Sequence, residues 1–232
     1  MKVKTGIPGL DNLIGGGLPK GSFTTILGEY GVGKSTLAMQ YLVNGVKEYG
    51  EPGVFVTFER DTDVITTEMR RFGWHLKTFQ NEGNLKMIGG PLDKIIGLGE
   101  ESEAEPEDLL GEMVEVVDEM DAERLSIDGL GQFSLLFPDE LSYRAGLASL
   151  GRSLSELGCT SIATIEKSSK EDQSGKAARD YVSDGLITMN WATVNSERKR
   201  ALEIKKIRGS KHSTRLNYFG ITESGIEIKE EI

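Results

Sequence analysis

The chain lacks the features that would place it in several large protein classes. Its 232 residues include one cysteine, Cys159, so no disulfide can close within it. The apolar setting of that residue, LGCTSIATI, predicts a small buried side chain and not a reactive thiol. His75 and His212 are the two histidines, which excludes a histidine-rich metal site. No apolar run reaches membrane-spanning length, and the opening MKVKTGIPGL has no apolar core of a secretion signal. Positive charge is also in deficit: 27 Lys and Arg against 37 Asp and Glu leave a net −10. That balance argues against broad, non-specific binding to nucleic acid or anionic lipid and leaves room only for a local basic patch. These absences predict a cytoplasmic protein with no membrane segment.

Glycine is abundant, with 29 residues clustered toward the N-terminus, where tight turns and close backbone approaches are expected. The order of patterns is strand, helix, strand, helix, repeated, which predicts one α/β domain over residues 1–232 with a mainly parallel central sheet flanked by helices. FTTILG (Phe23 to Gly28) reads as a strand, TLAMQYLVNGVKEYG as a helix stopped at Gly50, and GVFVTFE as a strand buried on both faces. Helices are expected over Asp61 to Phe72, from Pro106 through DLLGEMVEVVDEM, and from Leu141 to Leu157. LKMIGG, RLSID and TSIATIE read as further strands. DGLITMNW, RALEIKKIRG, TRLNYFGIT and GIEIKEEI alternate, predicting antiparallel C-terminal strands that close one side of the sheet. The acidic stretch Gly97 to Asp108 and the polar stretch SSKEDQSGKAAR read as solvated loops.

GEYGVGKS, Gly28 to Ser35, fits G-x-x-x-x-G-K-[ST] in full and lies between a predicted strand and a predicted helix. In such a loop the backbone N–H groups converge on phosphate oxygens and the following helix adds its positive end. Lys34 supplies a cation to the outer phosphates, and the Ser35 hydroxyl is placed to ligate Mg²⁺. A phosphate loop that uses magnesium needs a carboxylate at the end of another buried strand, and RLSID offers Asp128, which could otherwise serve as a turn former. Glu59 closes VFVTFE. It could orient water at a terminal phosphate, or it could be a surface carboxylate paired with Arg60. Glu166, closing TSIATIE, reads either as a sensor of nucleotide state or as a plain strand-end charge. KKIRGSKHSTR is a basic strand and turn, which in an acidic protein calls for an anion: a nucleotide, a neighbouring acidic surface or nucleic acid.

TGIPGLDNLIGGGLPKGS before the phosphate loop, EPGVFVTFE and FGWHL after it, and then RLSIDGL, YVSDGLITM and KKIRGSKHSTR resemble the RecA/RadA superfamily, and within it the KaiC-like ATPases. The match runs over nearly the whole chain. It implies a RecA-like P-loop ATPase core and a homo-oligomeric, hexameric ring with ATP or ADP bound between neighbouring subunits. By that resemblance Gly31, Val32, Gly33, Lys34, Ser35 and Thr36 contact the nucleotide, Glu59 is the catalytic carboxylate and Asp128 with Ser35 holds Mg²⁺. Arg71 falls beside the base. Lys206, Ile207, Arg208, Ser210 and His212 match the segment that reaches the neighbour's nucleotide, with Lys206 and Arg208 as cations supplied in trans. Thr222 and Glu223 match contacts further on.

The chain departs from the family where two adjacent glutamates are common, since it has Glu59-Arg60. It spans one such domain where the clock members carry two in tandem, so a circadian role does not follow. Three functions fit these residues: a slow ATPase acting as an oligomeric switch on a partner protein, an ATP-gated scaffold with little hydrolysis, and a recombinase-related DNA-binding ATPase. For the last, the loops after Asp128 (GLGQFSLLF) and after Glu166 (SSKEDQSGKAAR) lie where RecA-like rings face their centre, but the first is apolar and the second mixed in charge, so neither makes a good phosphate track.

Overall fold

The computed structural model describes residues 1–92, 105–167 and 183–229. Among these, nine strands form one sheet: β3 (Phe23–Gly28), β4 (Gly53–Thr57), β5 (Leu85–Gly89), β6 (Arg124–Asp128), β7 (Thr160–Glu166), β8 (Gly185–Val194), β9 (Glu197–Ile207), β10 (Asn217–Thr222) and β11 (Gly225–Lys229). Their spatial order is β11-β10-β9-β8-β3-β7-β6-β4-β5. The run from β8 to β5 is parallel throughout, whereas β9, β10 and β11 pair antiparallel. The expected α/β core with antiparallel C-terminal strands is therefore present, with one correction. DGLITMNW, expected to be antiparallel, lies parallel to β3 and antiparallel only to β9.

The helices cover both faces. On one face lies α2 (Lys34–Asn44), with the short α1 (Leu10–Leu13), α3 (Thr62–Met69) and α4 (Leu76–Asn81) around it. On the other lie α5 (Pro106–Glu119) and α7 (Glu140–Glu156), with α6 (Leu130–Phe133) at their end. Each face has its own apolar core. Tyr41, Leu42, Phe55, Trp74 and Leu202 are buried in the first, and Val54, Val56, Leu125, Ile127, Phe133 and Leu150 in the second. Alternate residues of the central strands go to opposite sides, as a period of two requires.

Several local expectations shift. The helix expected over Asp61 to Phe72 is α3 followed by a 3₁₀ turn, Arg70–Phe72. α2 passes at Gly45 into one π turn, Gly45–Tyr49, before stopping at Gly50. There the Arg124 side chain runs so close that a Cβ on Gly45 would lie 2.5 Å from its Cδ. GLGQFSLLF is not an open loop. It forms α6 and a 3₁₀ turn, with Leu130 and Phe133 fully buried, and Phe133 stacks on Phe58 at 4.8 Å. A two-stranded pair, β1 (Lys2–Val3) with β2 (Leu18–Pro19), also forms at the N-terminus. SSKEDQSGKAAR, and the acidic stretch as far as residue 104, lie outside the described residues. Cys159 is buried, and burial pushes its thiol up to about 12. No helix among the described residues is long and apolar enough to cross a membrane.

Candidate functional site

The chemistry-bearing residues gather at one edge of the sheet because the parallel strands all end there. Gly28, at the head of β3, is in register with Glu166 at the head of β7, and Thr57 of β4 with Asp128 of β6. The phosphate loop leaves β3 at this edge and enters α2 at Lys34. Gly33 caps the helix at φ 114°, a left-handed conformation that favours glycine, and a Cβ there would touch Ile221 at 3.0 Å. Val32 is fully buried and Thr36 nearly so, so Val32 could meet a phosphate only through its backbone. Gly31, Lys34 and Ser35 remain accessible.

Lys34 turns back on its own loop, donating to the carbonyls of Gly28 at 2.9 Å and Glu29 at 3.0 Å. Burial lowers the pKa of its ammonium below the usual lysine range, and the carboxylates of Glu166, Glu59 and Asp128 pull it back up. Three acids thus surround one lysine. Burial also holds Glu59 above the ordinary carboxylate range; the charge on Asp128 adds to this, and Lys34 opposes it. Glu59 lies over Gly129, where a Cβ would come within 2.5 Å of the Glu59 Cγ. Gly129 has φ 87°, so both space and backbone favour glycine there. Arg60 forms no ion pair with Glu59, although its charge tends to lower the Glu59 pKa. The Arg60 side chain turns away along α3 to pair with Glu68.

Asp128 is 1% exposed. Its Oδ1 accepts from the Thr164 hydroxyl at 2.7 Å, and Thr164 Oγ1 accepts in turn from the Gly129 N–H at 3.0 Å. Oδ2 is buried with no hydrogen-bond partner among the described residues. A buried carboxylate oxygen with no donor fits a cation or its water at this position. Among the described residues no group of three or more His, Cys, Asp or Glu could hold a metal. One carboxylate, one hydroxyl and phosphate oxygens make a donor set suited to Mg²⁺, which binds through few protein ligands.

The remaining candidates fall in two places. The turn carrying Thr222 and Glu223 joins β10 to β11 beside α2, where Gln40 is hydrogen-bonded to Ile226 in both directions, at 2.6 and 3.1 Å. Trp74 packs on Gly225 of the same turn, which brings the 3₁₀ turn bearing Arg71 to this neighbourhood. Arg71 is exposed, its guanidinium 4.6 Å from the Phe72 ring centroid. Lys206, Ile207 and Arg208 are elsewhere. Lys206 is opposite Leu186 and Ile207 opposite Gly185, which is itself level with Thr24 at the foot of β3. That is about 13 Å from the loop along the strand, at roughly 3.3 Å per residue. Lys206 donates to the Ser183 carbonyl at 2.5 Å, and Arg208 lies 3.5 Å from the Asp184 carboxylate. The Ile207 side chain is buried in the core. Ser210 donates to the Ile14 carbonyl and the Ser213 N–H to the Leu13 carbonyl, which braces this segment on the end of α1, while His212 makes a local contact with the Ser213 carbonyl.

The sequence reading missed Thr164 and Gly129. Thr164 precedes Glu166 by one alternation on β7, so the strand period alone places both on one face, and that signal could have found it.

A glycine loop at a strand-to-helix turn, a strand-end aspartate with one oxygen unpartnered among the described residues and a lysine among acids define a nucleotide-binding protein of the phosphate-loop α/β class. More narrowly, the chain belongs to the KaiC ATPase family, whose model matches residues 3–232. The UPF0273 protein of Aeropyrum pernix is 35% identical over 236 residues, covering 98% of this chain and 93% of that protein. The circadian clock oscillator protein KaiC of Synechococcus elongatus is 33% identical over 235 residues, covering 98% of this chain but 44% of that one. The crystal structure of a KaiC-like protein from Pyrococcus horikoshii superposes with a TM-score of 0.85 at 33% identity, covering 99% of both chains.

Proposed function

We propose that this chain is a slow Mg²⁺-dependent ATPase that assembles through repeated copies of itself into a ring, in the manner of a hexamer, and acts as a nucleotide-dependent switch on a partner protein. The observation that carries the reading is the convergence of Lys34, Glu59 and Asp128 at one end of the parallel strands, with an Asp128 oxygen that has no hydrogen-bond partner among the described residues. Gly31 to Thr36 would take the phosphates on their backbone N–H groups, and Lys34 would exchange its two loop carbonyls for phosphate oxygens. Ser35 and Asp128 would hold Mg²⁺, which when bound spreads and neutralises phosphate charge.

Glu59 is placed to orient the attacking water and to accept its proton. Oxygen of that water bonds to the γ-phosphorus, the bond to the β,γ-bridging oxygen breaks, and ADP and phosphate leave. A raised pKa suits a base that must give the proton back. The pairing of Arg60 with Glu68 weakens the case for a non-hydrolysing scaffold, because that arginine's ion-pair partner is Glu68 and not Glu59.

Arg71, Thr222 and Glu223 would frame the base. Lys206 and Arg208, at the foot of the sheet, cannot reach their own loop, which supports a head-to-tail arrangement in which they complete a neighbour's site. Ile207 would offer backbone, and Ser210 and His212 would support the same segment. The test is phosphate release from the purified protein with Mg-ATP, beside Lys34→Ala and Glu59→Gln. Release lost in both supports the reading, whereas bound ATP without release in the unmutated protein rejects hydrolysis. Mixing Lys34→Ala with Arg208→Ala tests the trans arrangement: recovered release supports shared sites, and none rejects them.

A further inference from the structure

Strand β4 is apolar from Val54 to Val56 and ends on one hydroxyl, that of Thr57, a fully buried residue. A buried hydroxyl is costly unless it is hydrogen-bonded, so its partners matter. Thr57 Oγ1 accepts the N–H of Glu59 at 3.3 Å and the N–H of Arg60 at 3.4 Å. Serine and threonine form such local turns by bonding to the backbone a few residues on. Here the turn bends the chain as it leaves the sheet for α3.

The other bonds of this connection fix its ends. The Phe58 N–H donates to the Asp128 carbonyl at 3.0 Å, and the Phe58 ring stacks on Phe133. At the far end the Ile65 N–H donates to the Asp61 carbonyl at 3.1 Å, which starts α3. The backbone between them, at Glu59 and Arg60, is tied through the Thr57 hydroxyl. That middle carries the carboxylate on which hydrolysis depends. The Glu59 side chain passes over Gly129 and lies close enough to Asp128, Lys34 and Glu166 for their charges to act on it.

We infer that Thr57 is a positioning residue for phosphate release, its hydroxyl holding the Glu59 backbone so that the carboxylate stays over Gly129 and among the charges of the site. The inference rests on the ATPase reading of this site, with Glu59 as the base. Being fully buried, Thr57 offers a nucleotide no surface and acts through Glu59. Loss of the hydroxyl frees two N–H groups at once. Neither Glu59 nor Arg60 is fully buried, so water can satisfy them, and the cost falls on the aim of the carboxylate more than on the fold. A catalytic group displaced by about 1 Å can lose about a hundredfold in rate. Among the described residues the Thr57 hydroxyl bonds to this turn and not to the phosphate loop, so ATP affinity is spared.

The test compares kcat for phosphate release at saturating Mg-ATP with equilibrium ATP binding, both on the full chain. Thr57→Val keeps the branched shape of threonine and removes the oxygen. It should lower kcat at least about tenfold and leave ATP affinity within about threefold of the parent. Thr57→Ser keeps the oxygen and should release phosphate within about threefold of the parent rate. An unchanged rate in the valine variant, or a serine variant as slow as the valine one, overturns the inference. So does a fall in kcat matched by an equal fall in ATP affinity, which makes Thr57 a structural residue only. If Thr57→Val fails to fold, Thr57→Ala, which also lacks the oxygen, takes its place in the comparison with serine. Glu59→Gln separates this inference from the reading beneath it. Release lost in Glu59→Gln but intact in Thr57→Val rejects the positioning role alone. Release intact in Glu59→Gln, or absent from the unmutated protein, rejects the reading of Glu59 as base and the role of Thr57 with it.

Discussion

Thr164 is the cheapest place to break the site without touching a nucleotide. Its hydroxyl donates to Asp128 Oδ1 at 2.7 Å and accepts from the Gly129 N–H at 3.0 Å, and the residue is 1% exposed. Thr164→Val keeps shape and volume and removes both bonds. The bond to a charged acceptor contributes about 1.5–3 kcal/mol, and a buried N–H left without a partner costs about 1–3 kcal/mol more. Asp128 would then have no donor on either oxygen, because Oδ2 already lacks one among the described residues. A loss of about 3–5 kcal/mol of stability is expected, a large part of the 5–15 kcal/mol of an ordinary domain. In a chain of this size that lowers the melting temperature by about 10 °C. The control is Thr164→Ser, which keeps the hydroxyl and loses one buried methyl, worth about 1 kcal/mol. Urea titrations followed by circular dichroism compare the three proteins without nucleotide. If the valine and serine variants unfold within about 1 kcal/mol of each other, the hydroxyl bridge does not hold Asp128 and the reasoning fails.

Glu59→Gln should stabilise the chain at neutral pH. Burial and Asp128 raise the folded-state pKa of Glu59 above its ordinary 4.5, so the folded chain keeps that proton longer than the unfolded one. Between the two values stability falls as pH rises, and below about pH 4 the glutamine variant should lose its advantage. A pH series of melting temperatures checks this, and a variant less stable than the parent at pH 7 would refute it. Gly129→Ala pushes a methyl into Glu59 at a left-handed backbone position, so phosphate release should fall about tenfold and stability by about 1 kcal/mol or more. Steady-state release beside a denaturant titration reads both. Arg124→Met strips a donor from the Tyr41 and Lys4 carbonyls and a partner from Glu51, costing about 3–5 kcal/mol in the same titration.

The parts of this molecule that were legible in the sequence are those in which one short segment carries both its structure and its chemistry. GEYGVGKS is a strand exit, a turn and a helix start in eight letters. RLSID and VFVTFE each end an apolar run with an acid, so the strand end and the acid are seen together. β8 was misjudged because strand direction depends on a partner far away in the chain, and alternation alone does not reveal it. α4 is six residues long and β1 and β2 two each, too short for any period to register. GLGQFSLLF reads as a loop until Phe58 is found stacked on Phe133, a contact that no local pattern contains. Thr164 was hidden for a related reason: a threonine in a β-strand needs no explanation until Asp128 is found beside it.

Strand β6 carries its own address. Arg124, Ser126 and Asp128 share the side facing α2, where Arg124 reaches the Tyr41 carbonyl and Ser126 the Ala38 carbonyl, while Leu125 and Ile127 fill the opposite core. A cation and an acid, 0% and 1% exposed, mark its two ends. Between its two parallel neighbours, β4 and β7, hydrophobic pressure alone would tolerate sliding. A slip of one residue would exchange the polar and greasy sides of this strand. A slip of two would drag the guanidinium under the middle of α2, away from Glu51 and the Lys4 carbonyl. During folding, then, RLSID has one berth, and the sheet can be threaded around it with the acid arriving at the phosphate loop every time.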